Sequence, residues 1–94
     1  MRSVLFAAVL PLCGIAQGPV EGRVLDAATA QPLPFCNVGV AGAAVGTLTN
    51  AEGRFRIDAA GPDAVLRFSY MGYATLELTA GEVARIDAVR IQPV

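Results

Sequence analysis

The chain has 94 residues, of which 54% are apolar, 16% charged and 6% aromatic, so it can form one small hydrophobic core and not two. Its formal net charge is −1 and all seven basic residues are arginines, so it has no polybasic footprint and no nucleic-acid partner is expected. The sequence contains no histidine. Histidine-based triads, histidine-ligated zinc sites and imidazole general bases are therefore excluded.

Residues 1–16 have the pattern of a signal peptide. Arg2 is followed by an apolar run over residues 4–10 that is too short to span a bilayer, and Pro11 ends that run. The small residues Gly14 and Ala16 predict cleavage before Gln17. We therefore expect a signal peptide over residues 1–16, a mature domain over residues 17–94, and export of the protein.

The two cysteines have different predicted fates. Cys13 follows Leu12 at a position where a lipid-attachment motif needs a small residue, so lipidation of Cys13 is the disfavoured alternative to its removal with the signal peptide. Cleavage leaves Cys36 alone and allows no intrachain disulfide. Cys36 alternates with Val38 and Val40, which predicts a small buried side chain. A reactive thiol would need a histidine or clustered cations nearby.

Beyond Gln17 the apolar residues alternate with a period of two, and turn residues recur about every ten positions. In chain order this pattern predicts a first strand, a long loop over residues 26–34 that contains two prolines, and then further short strands. The seven predicted strands lie near residues 20–24, 35–41, 45–49, 54–57, 65–70, 75–79 and 86–91.

The same alternation predicts which side chains face the core. Phe55 and Ile57 point inward while Arg54 and Arg56 point to water, and the next strand places its inward face on Leu66, Phe68 and Tyr70. Parity puts Tyr73 on the outer face. In the last strand Ile86 and Val89 have opposite parity, which predicts a bulge near residues 87–88.

Seven short strands without a helical period predict an all-β fold, an antiparallel two-sheet sandwich with Greek-key connections. The alanine-rich segments 27–30 and 80–84 are long enough for one helical turn each. The open edges of such a sandwich are pairing surfaces that a partner, a second domain or a neighbouring chain can cover.

Two further clusters are candidate sites. Asn50 and Glu52 precede Gly53 at alternate positions, as in a calcium loop, but the distal ligands are missing and a plain turn is the favoured interpretation. Arg54, Arg56 and Arg67 could form a basic stripe, against the simpler interpretation of solvated strand residues screened by Glu52 and Asp58. No metal or cofactor site is predicted.

Four segments in order carry a family resemblance: VxGxVxD at 20–26, PLPFxNVxV at 32–40, GTxTNAEGRFxI at 46–57 and LxFSYxGY at 66–73. Together they resemble the carboxypeptidase regulatory-like domain over nearly the whole predicted mature chain. Ala30 stands where that family usually has glycine, and Cys36 where it usually has alanine. Both departures bear on the loop conformation more than on the fold.

The resemblance implies a transthyretin-like (prealbumin-like) sandwich without catalytic activity. In Gram-negative bacteria the family is often an N-terminal periplasmic extension of TonB-dependent outer-membrane receptors, and it also lies beside the catalytic domain of zinc carboxypeptidases. An enzymatic branch of the transthyretin fold relies on histidines, which this chain lacks.

We therefore expect a non-enzymatic, exported interaction module of the cell envelope, linked to TonB-dependent nutrient uptake and without a cofactor. It would act in the periplasm, at the outer membrane or at the cell surface, beside an envelope protein partner or within a larger receptor. The alternatives are a carbohydrate-binding module in which Tyr73 contacts a glycan, and the N-terminal fragment of a truncated outer-membrane receptor.

Overall fold

A computed structural model describes residues 19–94 of the chain, and the predicted signal peptide and Cys13 lie outside the described residues. The described part forms seven strands and one short helix, which confirms the predicted number of strands. In chain order they are β1 (Val20–Asp26), β2 (Asn37–Val40), β3 (Gly46–Leu48), β4 (Arg54–Ile57), β5 (Val65–Ser69), β6 (Leu76–Thr79), α1 (Ala80–Arg85) and β7 (Val89–Ile91).

The strands form two sheets, with the orders β4-β1-β7 and β3-β2-β5-β6. The four-stranded sheet is antiparallel throughout, but β1 pairs in parallel with β7, in a register that places Val24 beside Val89. The prediction of an entirely antiparallel sandwich is therefore wrong at this pair. A parallel pair needs a crossover and not a hairpin, and β7 reaches β1 from the other sheet by way of α1.

The core lies between the two sheets, as the alternation predicted. Phe55 from the three-stranded sheet meets Phe68 from the four-stranded sheet edge to face, with ring centroids 5.6 Å apart. Phe55, Ile57, Leu66 and Phe68 are buried, whereas Arg54 and Arg56 are exposed. These inward and outward assignments are confirmed.

The helix α1 exceeds the single turn that its alanine content suggested. Thr79 and Glu82 form a capping box, in which the Thr79 hydroxyl accepts from the Glu82 N–H and the Glu82 carboxylate accepts from the Thr79 N–H. Val83 is buried and packs where the absent side chain of Gly22 leaves room. Within residues 19–94 no helix is long and apolar enough to cross a membrane.

The predicted bulge near residues 87–88 is wrong, because Ile86 is not in a strand. Ile86 is the C-cap of α1 and is 44% exposed. The strand β7 begins at Val89, so Val89 and Ile91 alone supply its buried face. The opposite parity of Ile86 and Val89 in the sequence thus reflects the junction between α1 and β7 and not a bulge.

Candidate functional site

Tyr73 lies at the end of the sandwich where the β5–β6 loop meets the end of β1. It is half-buried, packs against the core and donates a hydrogen bond from its hydroxyl to Asp26 Oδ2 at 2.5 Å. Its ring is 5.5 Å from that of Tyr70. The parity assignment of Tyr73 to the outer face is wrong, because Tyr73 forms an isolated bridge with Pro93 and precedes β6.

A glycan contact at Tyr73 stays a prediction. The hydroxyl that would bind a sugar is already engaged by Asp26, and one side of the ring faces Tyr70. A sugar would meet only the remaining exposed part of the ring. Stacking on a sugar ring normally uses a broad aromatic face.

Asp26 is a buried carboxylate whose role as a hydrogen-bond acceptor no sequence motif predicted. Its Oδ1 accepts hydrogen bonds from the N–H groups of Ala28 at 2.7 Å and Thr29 at 3.0 Å, while Oδ2 accepts from Tyr73. The Tyr73 hydrogen bond holds the pKa of Asp26 below its usual value despite the opposing effect of desolvation. The same bond raises the pKa of Tyr73.

The available signal for this cluster was an aspartate at the end of a strand followed by Ala28 and Thr29, which is the composition of an Asx turn. No local pattern connects Asp26 with Tyr73, 47 residues away. Each carboxylate oxygen of Asp26 accepts at least one hydrogen bond from within the domain. The pair acts as a clasp that ties β1 to the β5–β6 loop.

Cys36 is fully buried in the core, as predicted. Its thiol lies 3.5 Å from the carbonyl oxygen of Ser69. Burial raises the pKa of Cys36 to about 11, so the thiol is protonated at neutral pH. The interpretation of Cys36 as a small buried hydrophobe is confirmed.

The segment from Asn50 to Gly53 forms a turn between β3 and β4, as favoured from the sequence. Asn50 Oδ1 accepts from the N–H groups of Glu52 at 3.0 Å and Arg54 at 2.9 Å. The oxygen that a calcium ion would need thus caps the turn's own backbone. Across residues 19–94, no group of three or more acidic, cysteine or histidine side chains could hold a metal ion.

The three arginines Arg54, Arg56 and Arg67 do not form one stripe, because they lie on different sheets. Arg54 and Arg56 lie on β4 in the three-stranded sheet, while Arg67 lies on β5 in the other sheet. Arg67 pairs with Glu77 at 2.7 Å and Arg56 lies 3.7 Å from Glu21, and all four of these side chains are largely exposed. The solvated interpretation holds, with different acidic partners from those expected.

The surface of residues 19–94 has several recesses, and two of them are larger than the one beside Gly22 and Arg54, which has about 280 Å³. One, of about 370 Å³, lies between the start of β1, the β4–β5 loop and α1, and its lining includes Val20, Pro62 and Ala84. The other, of about 410 Å³, opens on the outer face of the four-stranded sheet above Gly39 and Gly46. We call the second the glycine recess.

The described residues thus define a class of small two-sheet β-sandwich whose surface consists of sheet edges and shallow recesses. A protein-family model described as the CarboxypepD_reg-like domain matches residues 20–89. The chain belongs to this family, and the resemblance inferred from the four sequence segments is confirmed.

Two relatives come from Formosa agariphila. The chain is 30% identical over 92 residues to TonB-dependent receptor P3, which covers 95% of this chain and 9% of the receptor. It is 43% identical over 68 residues to TonB-dependent receptor P26, which covers 72% of this chain and 7% of that receptor. The chain therefore spans less than a tenth of the length of either relative.

Proposed function

We infer that this protein is a non-enzymatic interaction domain of the cell envelope that serves TonB-dependent uptake across the outer membrane. The observation that carries this proposal is the match to TonB-dependent receptor P3 over 95% of the chain. The domain would contact an envelope protein or the rest of a larger receptor. Contact through a sheet edge or an outer face would suit a sandwich of this kind.

A binding role without catalysis is supported by the chemistry of the described side chains. The thiol of Cys36 is buried and protonated, and both carboxylate oxygens of the buried Asp26 accept hydrogen bonds from within the domain. The sequence offers no histidine as a general base. Purified protein that turned over a substrate would contradict this part of the proposal.

Export to the periplasm or the outer membrane is part of the same proposal. It is supported by the signal-peptide pattern of residues 1–16 and by the similarity of the chain to two TonB-dependent receptors. We also propose the Greek-key, transthyretin-like topology that the family resemblance implies. The two sheets, with strand orders β4-β1-β7 and β3-β2-β5-β6, are compatible with it.

The test is performed in the source organism with an epitope-tagged copy of the full chain. We expect the tagged chain to fractionate with the envelope and, after chemical cross-linking, to be recovered with an outer-membrane receptor. An unrelated exported protein with the same tag is the control and should not recover it. A tagged chain that stays in the cytoplasm, or recovers the receptor no better than the control, would refute the proposal.

A further inference from the structure

The strand β3 is a free edge of the four-stranded sheet, because β2 is its only neighbour in the sheet order of the described residues. Across the β2–β3 hairpin, Thr49 N–H donates to Cys36 O and Val40 N–H donates to Val45 O. Every second residue bonds across an antiparallel pair, so Thr47 also points its backbone groups at β2. Gly46 and Leu48 therefore direct their N–H and C=O groups away from the sheet.

These outward backbone groups are free to pair within the described part of the chain. No turn, loop or side-chain hydrogen bond of residues 19–94 engages the N–H or C=O of Gly46 or Leu48. Such groups at a sheet edge are a template for another strand.

The edge also lacks the usual protection against pairing. No charged residue occurs between Asp26 and Glu52, whereas natural sheet edges are commonly protected by charged side chains, proline or bulges. Leu48 is 53% exposed and Val45 is 41% exposed. Two copies of this edge can therefore meet without bringing like charges together.

The outer face beside β3 is shaped to receive a side chain. Gly39 and Gly46 are register partners, and without side chains they form the floor of the glycine recess. Leu48 projects from the same face at the rim of the recess. The protruding Leu48 side chain and Gly46, which lies in the glycine recess, are thus two residues apart on the free edge.

We propose that β3 pairs antiparallel with β3 of a second copy of this chain, about a two-fold axis that passes beside Thr47. In this register Gly46 of each copy faces Leu48 of the other, and the pair exchanges backbone hydrogen bonds on each side of the axis. Each Leu48 side chain then lies over the glycine recess of the opposite copy. The two four-stranded sheets become one continuous sheet.

Two of the neighbouring registers satisfy fewer groups. In a register shifted by one residue, Thr47, whose N–H and C=O groups point toward β2, lies opposite a residue whose groups point away from its own sheet. The two residues then exchange no backbone hydrogen bonds. A shift of two residues toward the β3–β4 turn would require the N–H of Asn50, which already donates to Arg54 O. The register centred on Thr47 uses every outward group of β3.

Self-association goes beyond the receptor-linked role, which does not require it. The paired edge contains three residues from each copy, so its area falls in the small, transient class of interfaces. We expect a concentration-dependent equilibrium between monomer and dimer.

The first test is sedimentation equilibrium of the purified full chain from about 10 µM to 1 mM, the range suited to weak complexes. Leu48→Lys should raise the dimer dissociation constant at least about tenfold, because it removes the protruding side chain and adds a charge to each edge. Met71→Lys is the matched control, since Met71 is 95% exposed in the β5–β6 loop. A monomer at every concentration, or equal effects of the two variants, would overturn the proposal.

The second test does not depend on Leu48. A residue pair at a non-hydrogen-bonded position has Cα atoms about 4.5 Å apart, which is within the range of a disulfide. With Cys13 changed to serine throughout, Thr47→Cys should cross-link to a dimer upon oxidation with copper phenanthroline. Thr29→Cys, in the exposed β1–β2 loop, should not.

Equal cross-linking of the two cysteine variants would also overturn the proposal. A strictly monomeric chain that still recovers its receptor from the envelope would refute self-association and leave the proposed function standing. A chain that dimerises but recovers no receptor would refute the proposed function and leave self-association standing.

Discussion

Ala30 adopts a φ of +63° in the loop between β1 and β2, a region in which a Cβ atom causes strain. This is the position at which the family usually has glycine, so the departure noted in the sequence falls on a residue whose backbone favours glycine. The Ala30 N–H still donates to Asp26 O at 2.8 Å. The loop therefore keeps this conformation, although the backbone strain at Ala30 lowers the stability of the fold.

Ala30→Gly should stabilise the fold by up to about 1 kcal/mol, because relief of the strain is partly offset by the greater freedom of glycine in the unfolded chain. Urea denaturation measures the change. Ala43→Gly is the control, since Ala43 has no positive φ, and it should be neutral or destabilising. Equal effects of the two changes would argue against strain at Ala30.

Phe68 is fully buried at the centre of the core and contacts the ring of Phe55. Phe68→Ala should lower the free energy of unfolding by about 3–5 kcal/mol, the usual cost of such a cavity. For a domain of this size that loss is a large share of the total stability. Arg54→Ala, at an exposed position, should change it by less than about 0.5 kcal/mol.

The clasp between Asp26 and Tyr73 predicts a particular pH dependence. The pKa of Asp26 is lowered from 3.8, chiefly by the Tyr73 hydrogen bond, so its contribution to stability is present above pH 3.8 and is lost as the pH falls through the lower folded-state value. The pKa of Tyr73 is raised from 10.0, so its contribution is present below pH 10.0 and is lost as the pH rises through the higher folded-state value.

Tyr73→Phe removes the bond and should make both the acid and the alkaline limbs of the stability curve shallower. Chemical denaturation at a series of pH values measures those slopes. Tyr70→Phe is the matched control, because no hydrogen bond of the Tyr70 hydroxyl contributes to the clasp. If the two variants kept identical pH profiles, the clasp would not be the origin of the dependence.

At the scale of elements, the β3–β4 turn joins the two sheets through Gly53. Its φ is +77°, its carbonyl accepts from the Val24 N–H at 2.8 Å, and an added Cβ would lie 2.7 Å from the Val24 carbonyl oxygen. Gly42, in the β2–β3 turn, has a similar φ of +78° with nothing near its missing side chain. A substitution at Gly42 therefore tests the strain of a positive φ alone, whereas a substitution at Gly53 tests that strain together with a steric collision.

Gly42→Ala should cost about 1 kcal/mol, the effect of positive φ alone. Gly53→Ala should cost clearly more, because the collision with the backbone of β1 adds to the same strain. Thermal or urea denaturation of both variants measures the difference. Equal losses would mean that the turn moves away from β1 without cost.

The elements also show which features the alternation of apolar and polar residues can predict. Alternation located all seven strands and the inward faces of β4 and β5, because each of those signals is local and has a period of two. It missed α1 as a stable helix, since six residues fold as a helix here only with the capping box at Thr79 and the burial of Val83. Short helices depend on such contacts and not on intrinsic propensity.

At the scale of the whole molecule, Cys36 reports on the integrity of the core. Its side chain is fully buried in the cluster that both sheets share, and its pKa is raised to about 11. A thiol reagent can reach it only after the sheets separate. Its reactivity should therefore follow global unfolding.

In a chain with Cys13 changed to serine, the labelling rate of Cys36 should rise with urea as steeply as the equilibrium between folded and unfolded protein does. A variant that also carries Thr29→Cys provides an exposed thiol that should react at once at every urea concentration. Rapid labelling of Cys36 in the native protein would contradict the closed core.

The candidate site was predicted only where its chemistry is local. The turn at Asn50, the burial of Cys36 and the solvation of the arginines followed from neighbouring residues. The position of Tyr73 did not, because it depends on a contact with Asp26 across 47 residues and on a bridge to Pro93. Pairing over such separations leaves no periodic trace in the sequence.

The sequence by itself determined the strand pattern, the inward faces of β4 and β5, the exclusion of histidine chemistry and the family, since each of these is written in local order and composition. Only the tertiary structure decided that β7 runs parallel to β1, that Asp26 and Tyr73 join, and that β3 presents a free, uncharged edge beside a glycine recess. These features arise from distant segments meeting in space. Their energies depend on packing and hydrogen bonding between segments, which a one-dimensional pattern does not encode.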